Sequence, residues 1–139
     1  MIEFNGIDII VQHRPPDVSV RRALSAALVV SEERVVVIDD VSDYPEAGAA
    51  DIVCVSSPLE GEFTGLLSIQ VERLVVPCDT HEQLMRRLCD VLGTQCLVPD
   101  DEQENPYLMW SISPGAAPRK IGLDPVAFDD GRYIIARNF

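Results

Sequence analysis

Lysine is nearly missing from this chain. Of eleven cationic residues only Lys120 is a lysine. Arginine supplies the rest, a bias expected of a GC-rich bacterial genome, because arginine codons are GC-rich. Against those eleven cations stand 23 acidic residues, for a formal net charge of −12. Such a charge repels phosphate backbones and anionic lipid, so neither nucleic acid nor a membrane surface is an expected partner. It favours solubility and rapid capture of a basic protein, because the summed field steers association. Long apolar runs are missing too. The longest, Ala26 to Val30, falls far short of the roughly 20 residues that a membrane helix requires. The opening stretch, MIEFNGIDII, carries acids where an export signal would carry positive charge, so a cytoplasmic protein is expected. The four cysteines (Cys54, Cys78, Cys89 and Cys96) show no C-x-x-C spacing. In a reducing compartment they are expected as free thiols.

The motifs of common catalytic sites are also lacking. No glycine-rich cradle with a lysine follows any strand, so phosphate handling has no support. Ser56 and Ser57 lie at a strand end without a G-x-S-x-G elbow. There are two histidines, His13 and His81. His13 with Asp17 has the residue types of a base and its orienter, but Arg14-Pro15-Pro16 between them reads as a plain strand exit. Cys78, His81, Cys89 and Cys96 are possible zinc ligands, but zinc sites bring ligands in close pairs and only Cys78 and His81 make one. Cys89 shares a helix face with Met85 and Leu92 and reads as a small core residue. No metal, cofactor or catalytic residue is expected.

What is present is a strand and helix pattern. At 139 residues the chain fits a single domain, 1–139. Residues 2–13 alternate as a first strand. Pro15 and Pro16 end it, and Asp17 or Ser19 caps a helix running to about Ser31, with Val20, Ala23, Leu24, Ala27, Leu28 and Ser31 on its buried face. VVVID, residues 35–39, is a continuous β-branched run of the kind buried on both faces. This opening reads as a βαβ unit. DIVCVSS (51–57) and GLLSIQVERLVV (65–76) read as strands. Asp79 or Thr80 caps a second helix through Leu92, which Gly93 ends. CLV, PYLMWSIS and RYIIAR complete the strands, with a single helical turn starting at Asp124-Pro125. The expected fold is α+β, a mixed sheet of six to seven strands with two helices mainly on one face.

The informative residues are the acids. RVVVIDDVSDYPE places Asp39, Asp40, Asp43 and Glu46 where a strand leaves the sheet, with Tyr44 among them as an aromatic anchor. In an open sheet, ligands bind beyond the carboxyl ends of strands. Paired acids there suit a divalent cation, but the glycine of an EF-hand loop is missing. Asp39, which continues the strand, is expected to accept local backbone N–H bonds. A second run, Asp100, Asp101, Glu102 and Glu104, precedes Tyr107, and Asp129-Asp130 form a third. Trp110 reads as core and Tyr107 as a partner contact.

In size, charge and acidic loops, carried by VIDDVSDYPE and DDEQE, the chain resembles the immunity proteins of bacterial contact-dependent and other polymorphic toxin systems. No diagnostic motif accompanies the likeness, so no family residue is carried over. The resemblance implies a non-catalytic inhibitor that neutralises a cationic toxin domain, often a nuclease. The partner-binding residues expected on that reading are Asp40, Asp43, Tyr44, Glu46, Asp100, Asp101, Glu102, Glu104 and Tyr107. The alternatives are a small hydrolase or metal-dependent enzyme using Asp39, Asp40 and Asp43, and an assembly or regulatory domain.

Overall fold

The computed structural model describes residues 1–100 and 105–136. The fold is α+β, as the pattern predicts. Strand β1 (Ile2–Val11) leads through Pro15 and Pro16 into helix α1 (Asp17–Leu28), and a one-turn 3-10 helix over Glu32–Arg34 delivers the chain to β2 (Val35–Ile38). Strand β3 (Ile52–Pro58), a two-residue β4 (Glu60–Gly61) and the long β5 (Gly65–Val76) follow. Helix α2 (His81–Leu92) precedes β6 (Cys96–Pro99), β7 (Leu108–Ile112) and β8 (Arg119–Gly122). Short α3 (Pro125–Asp129) and β9 (Arg132–Tyr133) close the described chain.

Seven strands form the main sheet, in the order β2-β3-β5-β1-β6-β7-β8, and β4 pairs with β9 beside it. β2 and β3 are parallel, and every other neighbour pair in the main sheet is antiparallel. Strands β1, β2, β3 and β7 therefore run one way, and β5, β6 and β8 the other. The opening β1–α1–β2 unit skips two places in the sheet, because β5 and β3 insert between its strands.

Alternation along the strands sorts side chains onto two faces. Ile9 and Val11 of β1, Leu67 and Ile69 of β5, and Cys54 of β3 point toward α1 and α2, whose Leu24, Leu28, Leu84 and Leu88 complete the main core. Ile10 of β1 and Leu97 of β6 point the other way, into a smaller cluster around Phe63, Met109, Ile121 and Leu123. Phe128 and Tyr133 pack edge-on at 5.5 Å over that second cluster. Burial on both faces explains why β3 and β6 read as unbroken apolar runs. β2 was expected to be of the same kind, but it lies at the edge of the sheet, and only Val35 is buried while Val36, Val37 and Ile38 stay half-buried.

Three local departures from the sequence pattern have physical causes. Helix α1 stops at Leu28, three residues before the periodicity ends, because Val29 turns left-handed (φ 57°) and returns its N–H to Ser25 O. RYIIAR supplies only Arg132 and Tyr133 to a strand, and Ile135 makes one isolated bridge to Leu123, because these side chains cover the second cluster. The seventh strand of the main sheet is instead Arg119–Gly122, which pairs with β7. In β1 the register slips between Phe4 and Gly6. Gly6 has φ 99° there, and a Cβ would stand 2.5 Å from Ile69 O, so only glycine fits.

Candidate functional site

The acidic stretch begins where β2 ends. Val35 and Val37 face α1, so the pleat turns Asp39 toward α1 as well, and Asp40 away from it. Asp39 meets Arg14 there, Nη2 to Oδ1 at 3.3 Å. The local backbone bond expected of Asp39 belongs to Asp40, whose Oδ1 accepts from Ser42 N–H at 2.9 Å. That bond holds the Asp40 carboxyl below its ordinary value and caps a 3-10 turn over Val41–Asp43. Asp40, Asp43 and Glu46 are exposed, as are Val41 (69%) and Tyr44 (47%). The return end of the loop is clamped by Arg34. Its guanidinium donates to Gly48 O (2.9 Å), Ala49 O (3.0 Å) and Asp51 Oδ1 (3.0 Å).

Beneath the loop start lies a cluster that no spacing in the sequence announces. Arg14 leaves the carboxyl end of β1 and donates from Nε to Ser56 Oγ (3.0 Å) and from Nη2 to Ser56 O (2.9 Å), besides its pair with Asp39. Ser56 is fully buried at the end of β3. Thr64 Oγ1 accepts from Arg14 N–H and donates to Gln12 O. Asp17, the first residue of α1, stands beside Asp39. Its carboxyl is raised by burial, then by the Asp39 charge, with Arg14 opposing. The ends of β1, β2 and β3 thus hold two carboxyls and one guanidinium over one buried serine. This is the carboxyl edge at which open sheets bind ligands. Here, though, every Arg14 donor bond closes on the protein itself. His13 is exposed, and its backbone N–H donates to Thr94 Oγ1.

The second acidic site lies elsewhere. Asp100 ends β6 and Tyr107 precedes β7, at the opposite end of the strands from Asp40 and four strand steps, about 19 Å, across the sheet. Asp100 is nearly buried and pairs with Lys120 Nζ at 3.2 Å. Lys120 also sits 5.3 Å over the half-buried Trp110 ring. Tyr107 packs edge-on against Phe128 at 5.4 Å, and its hydroxyl donates to Asp129 Oδ1 (3.4 Å). Asp101, Glu102 and Glu104 lie outside the described residues. Of the expected partner residues, then, Asp40, Asp43, Tyr44 and Glu46 share one exposed loop, whereas Asp100 and Tyr107 are built into the packing of β6, β7 and α3.

A cavity of about 600 Å³ opens at this second end. Phe4, Met85, Val98 and Trp110 floor it, and Glu3, His81 and Glu82 stand at its rim. Glu3 and Glu82 join Asp100 in lining it, though no motif links the three. The four cysteines are free and buried. Burial, then the Asp17 charge, pushes the Cys54 thiol up to about 12, and Cys96 is raised by a hydrogen bond with Cys89 and by burial. Among the described residues no group of three His, Cys, Asp or Glu side chains is placed to hold a metal ion, and no helix is long and apolar enough to cross a membrane. Compared with family models, with curated proteins and with solved structures, the chain matches none.

Proposed function

We propose that this protein is a non-catalytic binding protein that engages a basic protein through the loop carrying Asp40, Asp43, Tyr44 and Glu46. The observation that carries the reading is the company the acids keep. Val41 and Tyr44 are exposed in the same short loop as Asp40, Asp43 and Glu46, so apolar and aromatic side chains are interleaved with carboxylates along it. That is the anatomy of a small binding hot spot, where a desolvated anchor is surrounded by charges that steer encounter and exclude wrong partners. The two arginines at the loop ends are engaged with the protein itself, which leaves the outward acids free to meet cations. An immunity protein that neutralises a cationic toxin domain is the biological role we favour. The enzyme alternative loses support from the divergence of its three acids. Asp39 is held by Arg14, Asp40 by its own turn, and Asp43 points into solvent.

The test is a titration against the product of the adjoining reading frame, followed by stopped-flow association across a range of salt. Steering by exposed acids requires the association rate to fall as the Debye length shrinks from about 10 Å at 0.1 M to about 3 Å at 1 M. Asp43→Ala with Glu46→Ala should slow association yet change stability by less than about 0.5 kcal/mol, as surface changes do. Unchanged affinity in that double variant would remove the loop from the interface. Turnover of a substrate by this chain, with partner binding absent, would sink the reading altogether.

A further inference from the structure

We infer that the free edge of β2 is a docking site for an extended, cationic segment of the partner, which adds as an eighth strand beside the acidic loop. The inference rests on the binding reading above and specifies how the partner is held. The two edges of the main sheet differ sharply. β8 is guarded in the manner of natural edge strands, by exposed Arg119 and Lys120, and Gly122 O already accepts from Ala136 N–H. β2 is Val35-Val36-Val37-Ile38, with no charge or proline within it. Such a run has high strand propensity and no defence against pairing.

The backbone of β2 shows which groups are on offer. Arg34 O turns toward β3 and accepts from Asp51 N–H at 2.8 Å. Val35 N–H turns the other way, to Glu32 O. Backbone groups of successive strand residues alternate sides. Val37 therefore directs both its N–H and its C=O off the sheet, together with Val35 C=O and Asp39 N–H. No group among the described residues outside the sheet takes them. Beside this edge runs a groove of about 380 Å³ between β2 and α1. Val18, 56% exposed, forms its apolar wall, with Asp17 and Glu33 at its margins.

Charge selects the occupant. Glu32 and Glu33 stand before β2, Asp39 and Asp40 after it. Of the nearby cations, Arg14 is paired with Asp39, Arg21 is held at Glu32 O and Arg34 by the loop carbonyls, so Glu32, Glu33 and Asp40 are the acids left to meet a partner. A strand carrying Lys or Arg on one face and an aliphatic residue against Val18 complements this surface. A second copy of the chain does not. Two copies each carry a net charge of −12 and repel, and in a parallel pairing of two β2 edges Glu33 meets Glu33 and Asp39 meets Asp39, like charges that destabilise a strand pair.

The experiment uses a synthetic octapeptide of alternating lysine and valine, titrated at low salt into the isotope-labelled protein. The Val37 and Asp39 amides should shift and become protected from exchange, while Val36, already bonded within the sheet, changes little. Val37→Pro removes the outward N–H at a position where an edge strand tolerates proline, and it should weaken the peptide about tenfold, the loss of roughly one net hydrogen bond. N-methylation of alternate peptide amides should do the same with the protein unaltered, so the result does not depend on how that variant folds. A glutamate-valine octapeptide should not bind. Perturbation confined to residues 40–46, abolished by Asp43→Ala with Glu46→Ala but insensitive to Val37→Pro and to N-methylation, would overturn the edge inference and leave the binding reading standing. Absence of any binding by the cationic peptide would overturn both. Protection of Val37 that grows with protein concentration alone would assign the edge to a second copy.

Discussion

Arg14 is the residue on which the carboxyl edge of the sheet depends, and Arg14→Ala puts a number on it. The side chain makes two bonds to Ser56, at 3.0 and 2.9 Å, and one to Asp39 at 3.3 Å. The Asp39 carboxylate is 65% exposed, so that pair contributes under about 1 kcal/mol. Ser56 is fully buried, and bonds to a charged donor contribute roughly 1.5–3 kcal/mol each. Truncation also admits water, which rehydrates part of what it exposes, so the two losses do not simply add. The expected cost of Arg14→Ala is about 2–3 kcal/mol. With a urea slope of roughly 2 kcal/mol per molar for a domain of this size, the midpoint should fall by about 1 M. Arg14→Lys should recover less than half of this, because one ammonium cannot reproduce the planar fork. Double-mutant cycles separate the contributions. Coupling between Arg14→Ala and Ser56→Ala should reach about 1–2 kcal/mol, whereas coupling between Arg14→Ala and Asp39→Ala should stay below about 1 kcal/mol. A larger coupling to Asp39 than to Ser56 would refute the assignment of this arginine as the anchor of β3.

Asp17 carries a carboxyl raised above 3.8 by burial, then by Asp39. A raised carboxyl stabilises the fold while protonated, and that contribution is lost as pH rises through the raised value. Thermal melts at several pH values should therefore show Asp17→Asn gaining on the parent protein as pH climbs above 3.8, and a constant gap between the two would contradict this. All four thiols are buried and Cys54 is pushed up to about 12, so a thiol reagent at neutral pH should label the folded protein only at its unfolding rate. Rapid labelling of even one cysteine would place a thiol at the surface. Val29 is β-branched, 65% exposed and left-handed at φ 57°. Val29→Gly relieves roughly 1–2 kcal/mol of strain and forfeits about half that to unfolded-state entropy, so a small rise in the thermal midpoint is expected. A fall would show that the valine side chain packs usefully.

Much of the fold was legible because its signals are local. Thr80 accepts from Gln83 N–H at the start of α2, and Gly93 takes φ 70° at its end, both in keeping with the sequence pattern. The continuous run of β3 announced burial on two faces, whereas the equally apolar run of β2 misled, because its place at the sheet edge leaves Val36, Val37 and Ile38 half-buried. β8 was not legible, since Arg119-Lys120-Ile121-Gly122 has neither alternation nor propensity. It becomes a strand because Lys120 lies across from Trp110 and is tied to Asp100, contacts that exist only once β6 and β7 are in place. The candidate site divides the same way. The exposed acids of residues 40–46 could be read from composition. The Arg14–Ser56 bond spans 42 residues, and no spacing rule reaches that far. One missed signal was available, for counting along β2 from Val35 and Val37 puts Asp39 on the helix face and frees Asp40 to cap the turn.

The connection from β2 to β3 explains why this loop, rather than another, presents the charge. Adjacent parallel strands are usually joined by a helix of a dozen residues or so, packed on the sheet. Residues 39–51 contain one 3-10 turn at Val41–Asp43 and a second turn in which Ala49 N–H donates to Glu46 O, so the internal bonds of this crossover are confined to two local turns and none of them ties it down to the sheet. Its order comes from its ends, where Arg14 takes Asp39 and Arg34 takes Gly48 O, Ala49 O and Asp51. Those clamps use arginine's fixed fork, which a lysine could not supply, and so the near-absence of lysine has a structural expression at this site. Clamping the ends consumes the nearby cations and leaves Asp40, Asp43 and Glu46 uncompensated at the tip, around Val41 and Tyr44. A tip whose ends are already fixed pays less ordering entropy on binding than a free loop would. The same two arginines that order the loop thereby concentrate its negative field and set it beside the open edge of β2.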